Sequence, residues 1–174
     1  CGGDFEEGTA VASNSATATG SKHNEGEARV VEAHVRDLIS CGVKDVDIAV
    51  ISPYNAQVDL LRGRLLPDYP RLEIKSVDGF QGGEKEAVVL SLVRSNQRGE
   101  LGFLKERRRL NVAVTRAKKH LMLVGNGETL GRDPFLKGLV AWLEEHGEVC
   151  SGLDYEDFAT DTAAAEGGGG AVVT

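Results

Sequence analysis

The chain is predicted to fold as α/β, around a doubly wound, mainly parallel sheet with disordered termini. Three observations predict this. Short and almost wholly apolar runs, DIAVIS at 47–52, EAVVLSLV at 86–93 and HLMLVG at 120–125, read as strands buried on both faces. Stretches with apolar residues at helical spacing lie between these runs, which is the alternation of βαβ units. Polar or glycine-rich turns follow the strands, where an open parallel sheet keeps its ligands.

Taken in order, residues 1–22 are a low-complexity linker or insertion (SNSATATGSKHN) with little periodicity. A folded domain is expected over 23–152. It opens with a helix at 26–41, where Val30, Val31, His34, Val35, Leu38 and Ile39 recur on one face and Gly42 follows as a cap. Pro53-Tyr54-Asn55 breaks the first strand. Ala56, Val58, Leu61 and Leu65 then form a helix that ends before Pro67 and Pro70. A brief strand at 72–75 leads through the turn Asp78-Gly-Phe-Gln-Gly-Gly-Glu84 into the strand at 86–93. Residues 94–105 are a loop with a hairpin at Arg98-Gly99-Glu100. A helix is predicted over 106–117, with Leu110, Ala113, Val114 and Ala117 as its apolar stripe. Pro134 suits the first turn of a last helix, which Phe135, Leu136, Leu139 and Leu143 carry to Gly147. Residues 153–174 form an acidic, then Gly/Ala-rich tail that buries too little to offset the cost of ordering it.

Composition sets bounds. With 174 residues, 41% of them apolar and 27% charged, the chain fits one globular domain with a core of its own. No apolar run approaches the ~20 residues needed to cross a bilayer, so no membrane association is expected. Three cysteines without C-x-x-C spacing and scattered histidines disfavour a disulfide framework or a metal site, and point to an intracellular, reducing setting. Met122 is the only methionine, and the chain is expected to be an excised domain. The net charge of −7 conceals an asymmetry. Nine basic residues lie between Arg94 and His120 against Glu100 and Glu106, whereas eight acidic and no basic ones follow Lys137. A basic centre in an acidic chain suggests a local polyanion site.

The chemistry legible in single residues is limited. There is no G-x-x-x-x-G-K-[ST] phosphate loop, no strand-terminal acidic pair for a metal, and no G-x-S-x-G elbow. In the 78–84 turn, Gly82 and Gly83 could adopt positive φ and turn backbone N–H groups toward a phosphate, with Glu84 near a ribose. A tight strand entry with Phe80 in the core explains the same residues. Arg116, seven residues after Arg109 and on a similar helical face, could present planar charge to a γ-phosphate. An arginine favoured by a helix C-terminus is the plainer account.

The order of the motifs goes further than any one of them. Ile51-Ser-Pro-Tyr-Asn-Ala-Gln57, Lys75-Ser-Val-Asp-Gly-Phe-Gln-Gly-Gly-Glu-Lys-Glu86, Gly102-Phe-Leu104 and Arg108-Arg-Leu-Asn-Val-Ala-Val-Thr-Arg-Ala117 together resemble the second, C-terminal RecA-like lobe of superfamily 1 helicases. The resemblance is to the Upf1-like group, nearest its immunoglobulin mu-binding branch, and covers about residues 20–150. It implies an ATP-dependent 5′-to-3′ DNA or RNA helicase in the intact protein, inactive as this piece alone. It implies ATP with Mg2+ held mainly by an upstream lobe, and a single strand of nucleic acid as partner in the nucleus or cytoplasm. Arg116 matches the arginine finger, and Gln81, Gly82 and Glu84 match ATP-facing positions. Ser52, Pro53, Asn55, Ser76 and Asp78 match positions that meet the nucleic-acid backbone, with Arg94 and Asn96 beside them. Position 83 is Gly where the family commonly has arginine or another large residue. An alternative expectation is a non-catalytic nucleic-acid- or protein-binding module.

Overall fold

A computed structural model describes residues 8–9, 21–155 and 171–173. Four parallel strands, β3 (Ile48–Ser52), β4 (Glu73–Ser76), β5 (Lys85–Ser91) and β6 (Ala117–Gly125), form the body of a sheet in the order β4-β3-β5-β6. Before them, β1 (Gly8–Thr9) pairs antiparallel with β2 (Lys22–His23), so the expected 1–22 linker, mostly outside the described residues, holds a short ladder at its ends. Beyond β6 the sheet continues with β8 (Ala171–Val173) and then β7 (Val149–Ser151), both pairings antiparallel. The expected unfolded tail, 153–174, likewise lies largely outside the described residues; its described parts are this short strand and the end of a 3-10 turn at Gly152–Tyr155.

The period-two alternation of the central strands sorts their side chains into two layers. Ile48, Val50, Ile74, Ala87, Val89, Met122 and Val124 face helices α1 (Glu25–Ser40) and α2 (Asn55–Leu65), where Val31, Val35, Leu61 and Leu65 are fully buried. Ala49, Ile51, Val88, Leu90 and Leu123 face α3 (Arg107–Val114), the one-turn α4 (Gly127–Leu130) and α5 (Pro134–His146) through Leu110, Ala113, Leu130, Leu136 and Leu143. Both faces are covered, which is why the strands read as unbroken apolar runs. Each large aliphatic side chain so buried contributes roughly 1.5–3 kcal/mol.

Local signals set the helix ends. Asn24 caps α1 by accepting from Glu27 N. At the other end Gly42, with φ 94°, closes the helix as Gly42 N donates to Ile39 O and Val43 N to Leu38 O. Asp133 caps α5 ahead of Pro134. One predicted boundary moves. The helix expected over 106–117 stops at Val114, because Thr115 folds its hydroxyl back onto Asn111 O and Val112 O. Ala117 is therefore not the last residue of a helical stripe but the first of β6, and Arg109 and Arg116 do not share a helical face.

On the α1 side, His34 and His120 stack with Nε2 atoms 2.9 Å apart, and the Tyr155 hydroxyl lies 3.2 Å from His34 Nδ1. Burial, then the neighbouring His120, lowers His34 to about 4, and burial lowers His120 as well. The unfolded chain protonates its histidines near 6.5. Between these values it binds more protons than the fold does, so stability falls as pH drops through that window. Urea midpoints taken from pH 6.5 to 5, above the carboxylate range, are expected to fall by up to ~1.4 kcal/mol per pH unit for each histidine. His34→Gln should flatten that slope, and a slope unchanged in the variant would show that the pair does not titrate in this way.

Candidate functional site

The parallel register fixes where each sequence-predicted residue stands. Strands β5 and β6 pair from Lys85↔Ala117 to Ser91↔Val124, so residues just before them share the amino rim of the sheet and residues just after them share the carboxyl rim. The turn after β4 begins at the carboxyl rim with Ser76 and crosses to the amino rim by Gly83 and Glu84. All of Ser76–Glu84 was expected at the strand carboxyl ends; this segment instead crosses the α3 face of the sheet from one rim to the other, with Val77 and Phe80 packed against β3 and β5.

At the amino rim, Arg116 sits in the turn between α3 and β6. Its Nε donates to Val112 O at 3.0 Å, Nη2 to Thr115 Oγ1 at 3.3 Å and Nη1 to Gly83 O at 3.5 Å. Lys85 N donates to Arg116 O at 3.1 Å, tying the same turn to the start of β5. The half-buried guanidinium therefore bridges the last turn of α3 and the 78–84 turn with neutral acceptors only. It makes no ion pair with a described carboxylate. Its basic neighbours differ, for Lys118 and Lys119 pair with Glu86, and Lys85 with Glu73. Gln81, Gly82 and Glu84 are exposed beside it. Gly82 has φ 79°, with open space where a Cβ would stand, so glycine is required there by backbone conformation. At Gly83 a Cβ would lie 3.1 Å from the Phe80 ring, a tight contact that a larger residue could occupy only if that ring shifted. The structural reading of this turn holds, for Phe80 is a core residue, and Gly82 beside it is exposed.

The carboxyl rim divides the other candidates. Pro53, Asn55, Ser76 and Asp78 lie at the surface. Asp78 is ion-paired to Arg109 at 3.0 Å, and Ser76 Oγ accepts from Gly79 N at 3.2 Å. Ser52 is fully buried, 3.4 Å from Tyr54 N, and Arg94 is inside, 3.6 Å from Glu100. The Asn96 side chain is occupied in clamping a turn, donating to Glu100 O at 3.0 Å and accepting from Glu100 N at 2.8 Å. Ser52, Arg94 and Asn96 thus hold the rim together from within.

Sequence reasoning missed what anchors that rim. Gln57, in the first turn of α2 and the last residue of the Ile51–Gln57 motif, is fully buried and bonds Asn24 twice, accepting from its N at 2.8 Å and donating to its O at 3.1 Å. Gln57 Nε2 also donates to Ser91 Oγ at 3.1 Å. Ser91 Oγ and Val93 N both donate to Glu27 Oε2, at 2.7 and 2.8 Å, and Asn24 Nδ2 donates to Val93 O at 3.2 Å. The available signal was Glu27, a carboxylate one turn ahead of the apolar positions Val30 and Val31 of α1. Also missed were Asn126, Thr129 and Arg132 beyond β6, which line a polar cleft with Ser95 and Asn96.

A four-stranded parallel sheet covered by helices on both faces is the architecture of a RecA-like lobe. The profile of the family described as "AAA domain" matches residues 4–128, and the chain belongs to that family. It is 56% identical over 137 residues to the DNA-binding protein SMUBP-2 of Rattus norvegicus, covering 79% of this chain. It is 49% identical over 153 residues to the DNA polymerase alpha-associated DNA helicase A of Saccharomyces cerevisiae, covering 85% of this chain. A regulator of nonsense transcripts 1 homolog of Arabidopsis thaliana is 40% identical over 130 residues, 71% of this chain. These relatives bear out the resemblance to Upf1-like superfamily 1 helicases. The chain spans 14%, 22% and 10% of their respective lengths.

Removing the buried carboxylate tests how the rim is held. Glu27→Ala strands the Ser91 hydroxyl and the Val93 N–H, each a buried donor worth about 1–3 kcal/mol when left unpaired. A loss of about 2–5 kcal/mol in denaturant unfolding is expected, and a loss below 1 kcal/mol would mean that the network is dispensable.

Proposed function

We propose that the chain is the second motor lobe of an ATP-dependent 5′-to-3′ helicase that moves along single-stranded DNA or RNA. The observation that carries this reading is Arg116, a fixed guanidinium with neutral partners only, bonded to both the α3 turn and the 78–84 turn. A cation held in that way is preorganised for an anion arriving from outside the lobe, and its planar fork suits phosphate oxygens. The names of the relatives, two of which contain DNA-binding protein or DNA helicase, support the nucleic-acid side of the proposal.

In this reading ATP and Mg2+ sit on the upstream lobe, which carries the phosphate loop that this sequence lacks. They supply the phosphoanhydride and most of the charge neutralisation. Among the described residues no three His, Cys, Asp or Glu side chains converge as a metal site, and none is given that role. Arg116 supplies positive charge to the transferring phosphoryl group when the lobes close, and the Gly82 backbone and Glu84 face the phosphates and the sugar. Pro53, Asn55 and Ser76 touch the strand backbone at the opposite rim, while Ser52, Arg94 and Asn96 set their positions. Alternate closing and opening then advances the grip along one strand. The setting is wherever DNA or RNA is handled, in nucleus or cytoplasm. No described helix is long and apolar enough to cross a membrane.

In the intact protein, Arg116→Ala is expected to lower strand-stimulated ATP turnover by about 10³–10⁵ while leaving ATP affinity within a few-fold. Arg116→Lys should recover little, because an ammonium cannot reproduce the fork. Wild-type turnover in the alanine variant would sink the assignment. The isolated chain is expected to hydrolyse no ATP and to bind single strands weakly, with affinity falling as salt rises. Titrations at two ionic strengths check this, and salt-independent binding would remove phosphate contacts from the account.

A further inference from the structure

We infer that the polar cleft between the carboxyl ends of β5 and β6 holds one nucleotide of the single strand, with Arg132 as the partner of its phosphate; this rests on the motor-lobe reading above and extends it. The cleft is about 330 Å³ and is lined by Ser95, Asn96, Asn126, Glu128, Thr129 and Arg132 among others. That volume is at the low end of the range, about 300–1,000 Å³, that encloses small ligands, which suits a single nucleotide and not a duplex.

The walls are fixed before any ligand arrives. Asn96 N donates to Thr129 Oγ1 at 3.1 Å, and Thr129 Oγ1 donates to Asn96 O at 3.3 Å, so the loops after the two strands are locked together. Asn126 Oδ1 accepts from Thr129 N at 2.8 Å. On the other side, the Asn96–Glu100 clamp shapes a turn in which Gly99 has φ 65°. The stem of Arg132 lies across that glycine, where a Cβ would overlap its Cδ. Gly99 is thus favoured by its backbone conformation, and its bare Cα leaves room for the arginine stem.

Seated there, the exposed Arg132 guanidinium makes no hydrogen bond or ion pair with a described residue. Glu128 lines the same cleft and makes no ion pair with it. An exposed arginine resting on a bare glycine with its fork unoccupied is available for a bidentate phosphate contact. Beside it the Gln97 side chain and Asn126 Nδ2, neither bonded to a described residue, offer neutral groups to a sugar or base. Position completes the argument. The strand order β4-β3-β5-β6 sets Ser76, Asn55, Asn96 and Arg132 in sequence across the carboxyl rim, over about 14 Å at ~4.8 Å per strand. The cleft continues the row of surface residues already assigned to the strand backbone, and it lies at the rim opposite Arg116.

The test measures binding of the intact protein to fluorescein-labelled oligothymidylate and oligouridylate across a salt series. Arg132→Ala should weaken both roughly tenfold, as for loss of one charged hydrogen bond, and reduce the salt slope by about 0.7, as for loss of one phosphate on a single strand. Arg132→Lys should restore the slope but not the full affinity, which separates lost charge from misfolding. Glu128→Gln should tighten binding. Unchanged affinity and slope in Arg132→Ala, or weaker binding in Glu128→Gln, would overturn the inference while leaving salt-dependent binding by the parent intact. Absence of salt-dependent strand binding by the parent protein would instead remove the motor-lobe reading beneath it. Displacement of the strand from this cleft by excess thymidine monophosphate, lost in Arg132→Ala, would reassign it to a free nucleotide and also overturn the inference.

Discussion

The lobe depends on one buried carboxylate oxygen. Glu27 Oε2 receives the Ser91 hydroxyl and the Val93 N–H, both inside the protein, at the point where β5 gives way to the rim. Val93 has φ 71° although it is β-branched and fully buried, and Arg94 N donates back to Leu92 O at 2.8 Å. This is a γ-turn of the rare positive-φ kind, whose strain is on the order of 1–3 kcal/mol. Such a turn persists only where its surroundings over-determine it. Here Asn24 takes the Val93 carbonyl, Glu27 takes its N–H, and Gln57 secures Asn24 and Ser91 in turn. A single network therefore joins the N-termini of α1 and α2 to the end of the central strand. It redirects the chain so that Arg94 goes inward and Ser95–Asn96 become a wall of the rim.

That arrangement explains which parts of the sequence were legible. Strands buried on both faces announce themselves, because every position is apolar, and IAVIS and AVVL were found to within a residue or two. The α1 terminus was readable because Gly42 has only one common use after such a stripe. The end of α3 was not. Ala117 falls at helical spacing after Ala113 and Val114, and nothing in composition distinguishes a stripe's last alanine from a strand's first. What decides it is the Thr115 hydroxyl folding back on two carbonyls, a competition between side chain and ladder that periodicity does not register. With the helix shortened, Arg116 leaves it and becomes a bridge between two turns.

Taken one by one, the candidate site residues differ in what their polar atoms do. Ser52, Arg94 and Asn96 matched a nucleic-acid pattern, yet their polar atoms face inward or are spent on backbone groups. Motif matching reports a pattern of residues, and cannot separate exposed groups from those that support them. Arg132 shows the converse. Nothing around Gly131-Arg132-Asp133 stands out in sequence, and its significance comes from Gly99, which lies thirty-three positions earlier and gives it a seat.

The separation of the two rims bears on how such a lobe could work. β5 and β6 each run from the neighbourhood of Gly83 and Arg116 to that of Asn96 and Asn126, at about 3.3 Å per residue. Between these ends the strands are buried on both faces and packed at interior density, so they do not stretch or shear locally. A force applied to Arg116 by a phosphate therefore has no soft element in the sheet to absorb it. It is transmitted to the carboxyl rim by displacement of the whole lobe, and the Glu27 network keeps that rim from lagging behind. In the motor-lobe reading proposed above, rigidity between two separated contact surfaces would allow a small change at the nucleotide to become a step along a strand. The polar atoms buried at the end of β5 are the means by which this sequence secures it.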